Sequence, residues 1–330
     1  MTDATLDVVG IGNAMVDVLA RADDAFLETH GLAKGAMTLV DAAQSDALYD
    51  AMGPGVEISG GSAGNTMAGI AALGGKGAFI GKVRDDQLGG VFGHDIRAAG
   101  VRFDTPPAAD GAPTARCLVI VTPDAQRTMC TYLGACVELG PDDVDEALIA
   151  AAEITYLEGY LWDPPRAKAA FRKALGIAHA NGRRVALTLS DPFCVDRHRA
   201  EFRELAAEHI DILFANEAEI ISLYEVDDFD AALQRVRQDC AVAALTRSEQ
   251  GSVIVAGEAM HVIDAHPVAE VVDATGAGDL YAAGVLYGLT HGWDLASAGR
   301  LGGLAAAEVI SHIGARAEAD LGRLMAETFG

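Results

Sequence analysis

No two of the five cysteines in this 330-residue chain stand in a C-x-x-C spacing. Cys117, Cys130, Cys136, Cys194 and Cys240 therefore frame neither a zinc site nor a disulfide scaffold. They read as reduced thiols of a cytoplasmic protein, buried as small hydrophobes. Basic residues are scarce too: Lys and Arg total 24 against 48 Asp and Glu, a formal charge of −24. Such a surface repels nucleic acid and anionic membranes. The acidic start, Met1-Thr2-Asp3-Ala4-Thr5-Leu6-Asp7, lacks a basic n-region, so no secretory signal is expected. No apolar run is long enough to span a bilayer. What the chain does have is a hydrophobic content of 51%, enough for a large core and an α/β domain with an appendage. With so few cations, phosphate chemistry must draw on local fields: helix termini, backbone amides, a divalent ion and a few well-placed cations.

One stretch supplies such a field. In Val271-Val272-Asp273-Ala274-Thr275-Gly276-Ala277-Gly278-Asp279, small residues form a turn, and an apolar helix follows from Leu280. A small-residue turn opening a helix leaves backbone N–H groups converging at the positive end of its dipole, an anion site suited to phosphate. Asp279 is out of place there unless it has a use. Two readings stand open: a first-turn acid that favours the helix end, or an acceptor of the proton from a hydroxyl attacking phosphorus. Beside a helix N-terminus its pKa is expected to be low.

The rest of the chain adds polar groups at strand exits. Leu6–Gly12 reads as a buried strand, followed by Asn13 and Asp17 beyond its carboxyl end, where open α/β sheets bind ligands. Asn13 also suits an Asx-turn and Asp17 a solvated position. Residues 20–55 look irregular apart from a short strand at Met37–Val40. Gly60, Gly61 and Gly64 permit a tight turn before a small-residue helix that starts near Asn65. Ala115–Val121, a turn at Thr122–Ala125 and Arg127–Leu133 read as a hairpin. Its Arg116 and Arg127 are weighed as phosphate contacts, with solvated arginines favoured. From residue 141 strands at 154–157, 185–189, 212–215 and 242–246 alternate with helices at 142–152, 165–181, 197–208 and 230–238, implying a mostly parallel sheet. A hairpin (252–256, 260–264) and a second small-residue helix (295–311) complete the pattern. Tyr160 and Phe193 follow strands, where a ring can stack on a base or simply pack. Asn216 and Glu219 suit an N-cap and helix-start acid.

The run Asp273-x-Thr275-Gly276-Ala277-Gly278-Asp279, with the Gly60–Asn65 turn and Gly12-Asn13-x-x-x-Asp17, resembles the signatures of the PfkB or ribokinase-like family of sugar and nucleoside kinases. The likeness covers nearly the whole chain. It implies an α/β fold with a central, mostly parallel sheet flanked by helices and a small β-sheet lid. The large unit would hold residues 1–12, 54–100 and 134–330, and the lid 13–53 and 101–133. The resemblance further implies transfer from ATP, with Mg2+, to a primary hydroxyl. Asp279 would be the base, and Gly276, Ala277 and Gly278 the anion hole. Asn13, Asp17, Gly60, Gly61 and Asn65 would hold the acceptor. Glu158-Gly159-Tyr160 and Leu189–Phe193 look like the adenosine kinase branch, so Tyr160 and Phe193 would flank a base; Asp191 departs from that pattern. Asn216, Thr246, Ser248, Gly251, Thr275, Gly278 and His312 would line ATP, with Arg247 a further departure. Glu219 would act on magnesium through water. The backbone carbonyls of Asp273, Thr275, Val309, His312 and Gly314 would hold K+ if the chain uses it. A ribokinase-, fructokinase- or ketodeoxygluconate-type sugar kinase is the alternative, and a non-catalytic nucleotide or nucleoside sensor a third reading. The protein is expected as a monomer or homodimer.

Overall fold

The computed structural model describes residues 4–124 and 126–330. The reading of the first three residues, and Ala125 of the expected turn, lie outside the described residues. The chain opens with β1 (Leu6–Ile11), β2 (Met15–Arg21), α1 (Asp24–Thr29), β3 (Met37–Leu39), α2 (Ala42–Ala51) and β4 (Gly55–Gly60). Next come α3 (Ser62–Ala72), β5 (Gly77–Ile80), α4 (Gln87–Ala98), β6 (Arg102–Phe103), β7 (Ala115–Val121) and β8 (Arg127–Tyr132). The second half alternates: α5 (Glu146–Ala151), β9 (Ala152–Glu158), α6 (Pro165–Ala180), β10 (Arg184–Thr188), α7 (Pro192–Glu208), β11 (Ile212–Asn216), α8 (Glu217–Tyr224), α9 (Phe229–Asp239) and β12 (Val242–Thr246). The hairpin β13 (Ser252–Ala256) and β14 (Ala259–Ile263) leads into α10 (Ala277–Thr290), α11 (Leu295–Val309) and α12 (Leu321–Phe329).

Nine strands form one sheet in the order β14-β13-β12-β11-β10-β9-β1-β5-β6. From β12 to β6 every pairing is parallel, and only the hairpin at the other edge runs antiparallel. Both faces of this sheet are covered, which explains why its strands are apolar throughout rather than alternating. Val9, Ile11, Leu157 and Leu187 join the core beneath α6 and α7. Val8, Tyr156 and Ala186 join the core on the opposite face, with Met67 of α3 and Ala283 of α10. The parallel run brings the exits of β1, β9, β10, β11 and β12 to one edge.

The second sheet runs β3-β8-β7-β2-β4. Its register puts Asp17 level with Cys117, and Val121 level with Arg127. One face of this sheet carries Val16, Val18 and Leu118 into the core with Leu48 of α2. The other carries Met15, Leu19, Val119 and Met129 toward Ile313.

Three expectations change. The stretch 20–55 is not irregular. Asp23 and Asp41 cap α1 and α2 by accepting from the N–H groups of Phe26 and Gln44, and the Gln44 side chain returns the bond to Asp41. Second, β4 pairs antiparallel with β2 in the small sheet, and β6 pairs with β5 in the large one. Residues 55–60 thus leave the large unit, and 102–103 leave the lid. Third, α7 starts at Pro192, not 197, because Asp191 caps it. His198 breaks the helical geometry inside it (φ −123°), where the sequence pattern restarts. No helix among the described residues is long and apolar enough to cross a membrane.

Candidate active site

The exit of β1, the β4–α3 turn and the start of α10 meet at one place. Gly61 caps α3 with φ +90°, a conformation that a side chain would strain. A Cβ there would stand 2.1 Å from the Asn13 carbonyl oxygen, and one on Gly60 would stand 2.4 Å from the Asp17 carboxylate. The turn therefore lies directly on Asn13 and Asp17, which is why these two positions are glycine. Burial pushes Asp17 up to about 6, against the nearby charges of Arg316 and Arg127. Asn13 Nδ2 donates to Glu158 at 2.5 Å, and the Ala63 N–H donates to the same carboxylate at 2.9 Å. With a glycine cap, α3 has no side-chain cap of its own. Glu158, from the end of β9, supplies one from across the fold. Its burial (1% exposed) lifts it to about 7 despite those two bonds.

Gly276 opens α10 in the left-handed region (φ +80°). The Ala277 N–H turns back to the Ala274 carbonyl (3.3 Å). The N–H groups of Gly276 and Gly278 have no protein acceptor among the described residues. Asp279 lies in this first turn and reaches across to α3. Its two oxygens accept from Ser62 Oγ at 2.6 Å and Asn65 Nδ2 at 2.9 Å. The expected low pKa is corrected: burial raises it, outweighing the two hydrogen bonds and the Arg316 charge. Asn65 Oδ1 is buried with no partner. That orphan acceptor beside Asp279 fits a hydroxyl donor. The structure thus gathers Asn13, Asp17, Gly60, Gly61, Asn65 and Asp279, and adds Ser62, Glu158 and Arg316, which the sequence reading did not single out.

Neither lid arginine is solvated. Arg116 donates to Ser45 Oγ (2.6 Å), pairs with Asp46 and lies over the Tyr49 ring, so it braces the lid itself. Arg127 reaches from β8 to the anion turn. It pairs with Asp273 and donates to Thr275 Oγ1 at 2.5 Å. Asp273 also takes the N–H groups of Thr275 (3.0 Å) and Gly314 (2.8 Å). Both of its carboxylate oxygens are occupied, one by a guanidinium, which leaves only its backbone carbonyl for the expected monovalent cation.

Tyr160 and Phe193 follow adjacent strands and remain 39% and 74% exposed, which rules out a core role for either ring. Ser190 holds Tyr160 twice: its Oγ accepts the Tyr160 N–H and its carbonyl accepts the phenol, both at 3.1 Å. Ser190 does so at φ +76°, a strained conformation for a non-glycine residue. Asp191 caps α7 through the Cys194 N–H (2.6 Å), so its departure from the branch pattern has a local cause.

At the exit of β11, Asn216 and Glu219 form a reciprocal capping box on α8. Glu219 is buried and lifted to about 7. Arg247 is tied to Glu217 (3.0 Å) and stacked on Phe229, so it is not free for phosphate. Thr246 ends β12. Ser248 and Gly251 shape the following loop at φ +50° and +81°, and the Gly251 carbonyl accepts the Arg247 N–H (2.8 Å). His312 sits between Glu308 and Glu318 (3.3 and 3.8 Å). The five cysteines are all buried.

The pfkB family carbohydrate kinase model matches residues 37–320. Over 98% of this chain and 99% of its own, the crystal structure of adenosine kinase from Sinorhizobium meliloti superposes with a TM-score of 0.91 at 55% identity. A probable sugar kinase protein from Rhizobium etli CFN 42 gives 0.91 at 52% identity, over 98% of both chains. Adenosine kinase of Saccharomyces cerevisiae is 28% identical over 94% of this chain and 96% of its own length. The chain therefore belongs to the pfkB family of carbohydrate kinases and is a nucleoside or sugar kinase of that ATP-dependent family.

Proposed function

We propose that the chain transfers the γ-phosphoryl group of ATP to the primary hydroxyl of a ribonucleoside, adenosine first among them. The observation that carries this reading is Asp279, held by Ser62 and Asn65 at the mouth of a helix with free N–H groups. Asp17 accepts two neighbouring hydroxyls of the ribose, because a carboxylate offers lone pairs and no donor. Asn13, the Gly60–Gly61 backbone and Asn65 Oδ1 take further hydroxyl contacts. The acceptor oxygen forms its bond to the γ-phosphorus while the bond from phosphorus to the β,γ-bridging oxygen breaks. The hydroxyl proton passes to an oxygen of Asp279, and ADP leaves. The N–H groups of Gly276 and Gly278 stabilise charge on the transferring group, with Ala277 completing the turn. Arg127, freed from Asp273, is the lid cation within reach of that charge.

Thr246, Ser248, Gly251, Thr275 and His312 are the residues that would line the nucleotide. Both Glu219 oxygens already accept from Asn216, so this pair meets magnesium only through water. Magnesium, when bound, offsets charge on the phosphates. Tyr160, locked by Ser190, and Phe193 present open rings to a base.

The 52% identity to a probable sugar kinase favours one second reading, a kinase of ribose, fructose or ketodeoxygluconate. A panel of these acceptors and adenosine, read by ADP release, separates the two. Adenosine should be turned over fastest. Tyr160→Ala should lower its kcat/KM about tenfold, the size of one lost stacking contact. Adenosine left unphosphorylated by a protein that phosphorylates a sugar would establish the sugar reading instead.

A further inference from the structure

We propose that Arg316 is a positioning residue for the phosphoryl acceptor, clamping the Gly60–Gly61 turn with its charge in the same site as Asp17 and Asp279. The proposal rests on the acceptor site described above.

The geometry starts in the segment after α11. The Gly314 N–H donates to Asp273 (2.8 Å), and Ala315 lies so close to Gly276 that a Cβ on that glycine would stand 2.9 Å from it. The segment is thus seated against the anion turn. Arg316, the next residue, reaches the opposite way. Its Nε and Nη2 donate to the Ser59 carbonyl (3.1 and 2.6 Å), Nη2 also to Ser59 Oγ (2.9 Å), and Nη1 to the Gly64 carbonyl (2.8 Å). Ser59 and Gly64 bracket the Gly60–Gly61 turn and the first residues of α3, including Ser62. One planar fork therefore fixes both ends of the acceptor turn and ties it to the anion cradle.

The acceptors of these bonds are neutral, so no direct carboxylate contact consumes the guanidinium charge. Three carboxylates feel it: Asp95, Asp17 and Asp279. Asp95 is anchored separately, accepting the Ser59 N–H (2.8 Å) and hydroxyl (2.6 Å). Asp17 on β2 also faces Arg127 of β8 and Asp279 of α10. Asp279 faces Ser62 and Asn65 of α3 as well as Arg316, and its charge is felt by Glu158 and Tyr156 of β9. For both Asp17 and Asp279, Arg316 opposes the upward push of burial. Its removal should leave the acceptor-binding and proton-accepting groups harder to ionise.

The test uses Arg316→Met and Arg316→Lys in the full chain, with whichever acceptor the unsubstituted protein turns over. Arg316→Met should raise the acceptor KM at least about tenfold and leave the ATP KM within about twofold, because four donor contacts to one substrate turn are lost. Its acid limb of kcat/KM should move to higher pH by about half to one unit. Arg316→Lys should restore that limb but not the KM, since an ammonium carries the charge without the fork. Amide hydrogen exchange in segment 59–65 of the free protein should quicken in Arg316→Met, a readout that needs no acceptor. Unchanged exchange there, or an acid limb and acceptor KM that stay in place, would overturn the proposal. If Arg316→Met fails to fold, an unaltered acceptor KM in Arg316→Lys does the same. A protein that phosphorylates no acceptor would overturn the functional reading, while the exchange measurement would still decide the clamp.

Discussion

Asp279→Asn should lower turnover by about two to three decades, with ATP binding kept within about twofold. The amide has almost the shape of the carboxylate, and the α10 start does not depend on it: the cap is Gly276, without a side-chain bond. The variant can keep one of its two contacts. Its oxygen accepts from Asn65 Nδ2, and the Ser62 hydroxyl rotates to accept from the new amide. What is lost is the capacity to take a proton. The pH dependence follows from that carboxylate together with Asp17, whose own rise sets the figure. Burial raises Asp279 and lifts Asp17 to about 6, so the active, ionised forms disappear as pH falls through a range above that of ordinary carboxylates. The acid limb of kcat/KM is expected near pH 6. Steady-state kinetics across pH, with ATP binding measured by calorimetry, checks both parts. Turnover near the unsubstituted value in Asp279→Asn would remove Asp279 from the chemistry.

Asp17→Asn should reduce kcat/KM for adenosine by about a hundredfold or more. Two hydroxyls donating to a charged group contribute about 1.5–3 kcal/mol each, and about 1.4 kcal/mol is a factor of ten. An amide keeps one acceptor and adds a donor where both hydroxyls need an acceptor. Comparing adenosine with 2′-deoxyadenosine sharpens the test. The unsubstituted protein should discriminate strongly between them, and Asp17→Asn should do so little. Equal discrimination in both proteins would place the diol elsewhere.

The parts readable in the sequence were those with local signals. Apolar strands alternating with helices announced the parallel sheet, and small residues before an apolar helix announced the α10 start. Helices α1 and α2 are short and lack a clear apolar stripe, so only their Asp caps marked them. Nothing within Gly55–Gly60 says which sheet it joins, since its partner β2 lies about forty residues earlier. The polar network was least legible. Ser62 and Asp279 are 217 residues apart, Asn13 and Glu158 are 145, and Arg316 and Ser59 are 257. Such contacts exist only once the sheet order brings strand exits together. Arg127 was read more readily as a solvated hairpin residue, because nothing local to β8 announces a partner 146 residues away at Asp273.

The central claim is that a hydroxyl lying against Asp279 takes the γ-phosphoryl group of ATP. The most direct measurement incubates the protein with ATP labelled at the γ-phosphate, magnesium and either adenosine or 5′-deoxyadenosine. The label should appear as the 5′-phosphate of adenosine and nowhere on the 5′-deoxy compound. ATP binding with no label transferred to adenosine or to any sugar of the panel would contradict the account.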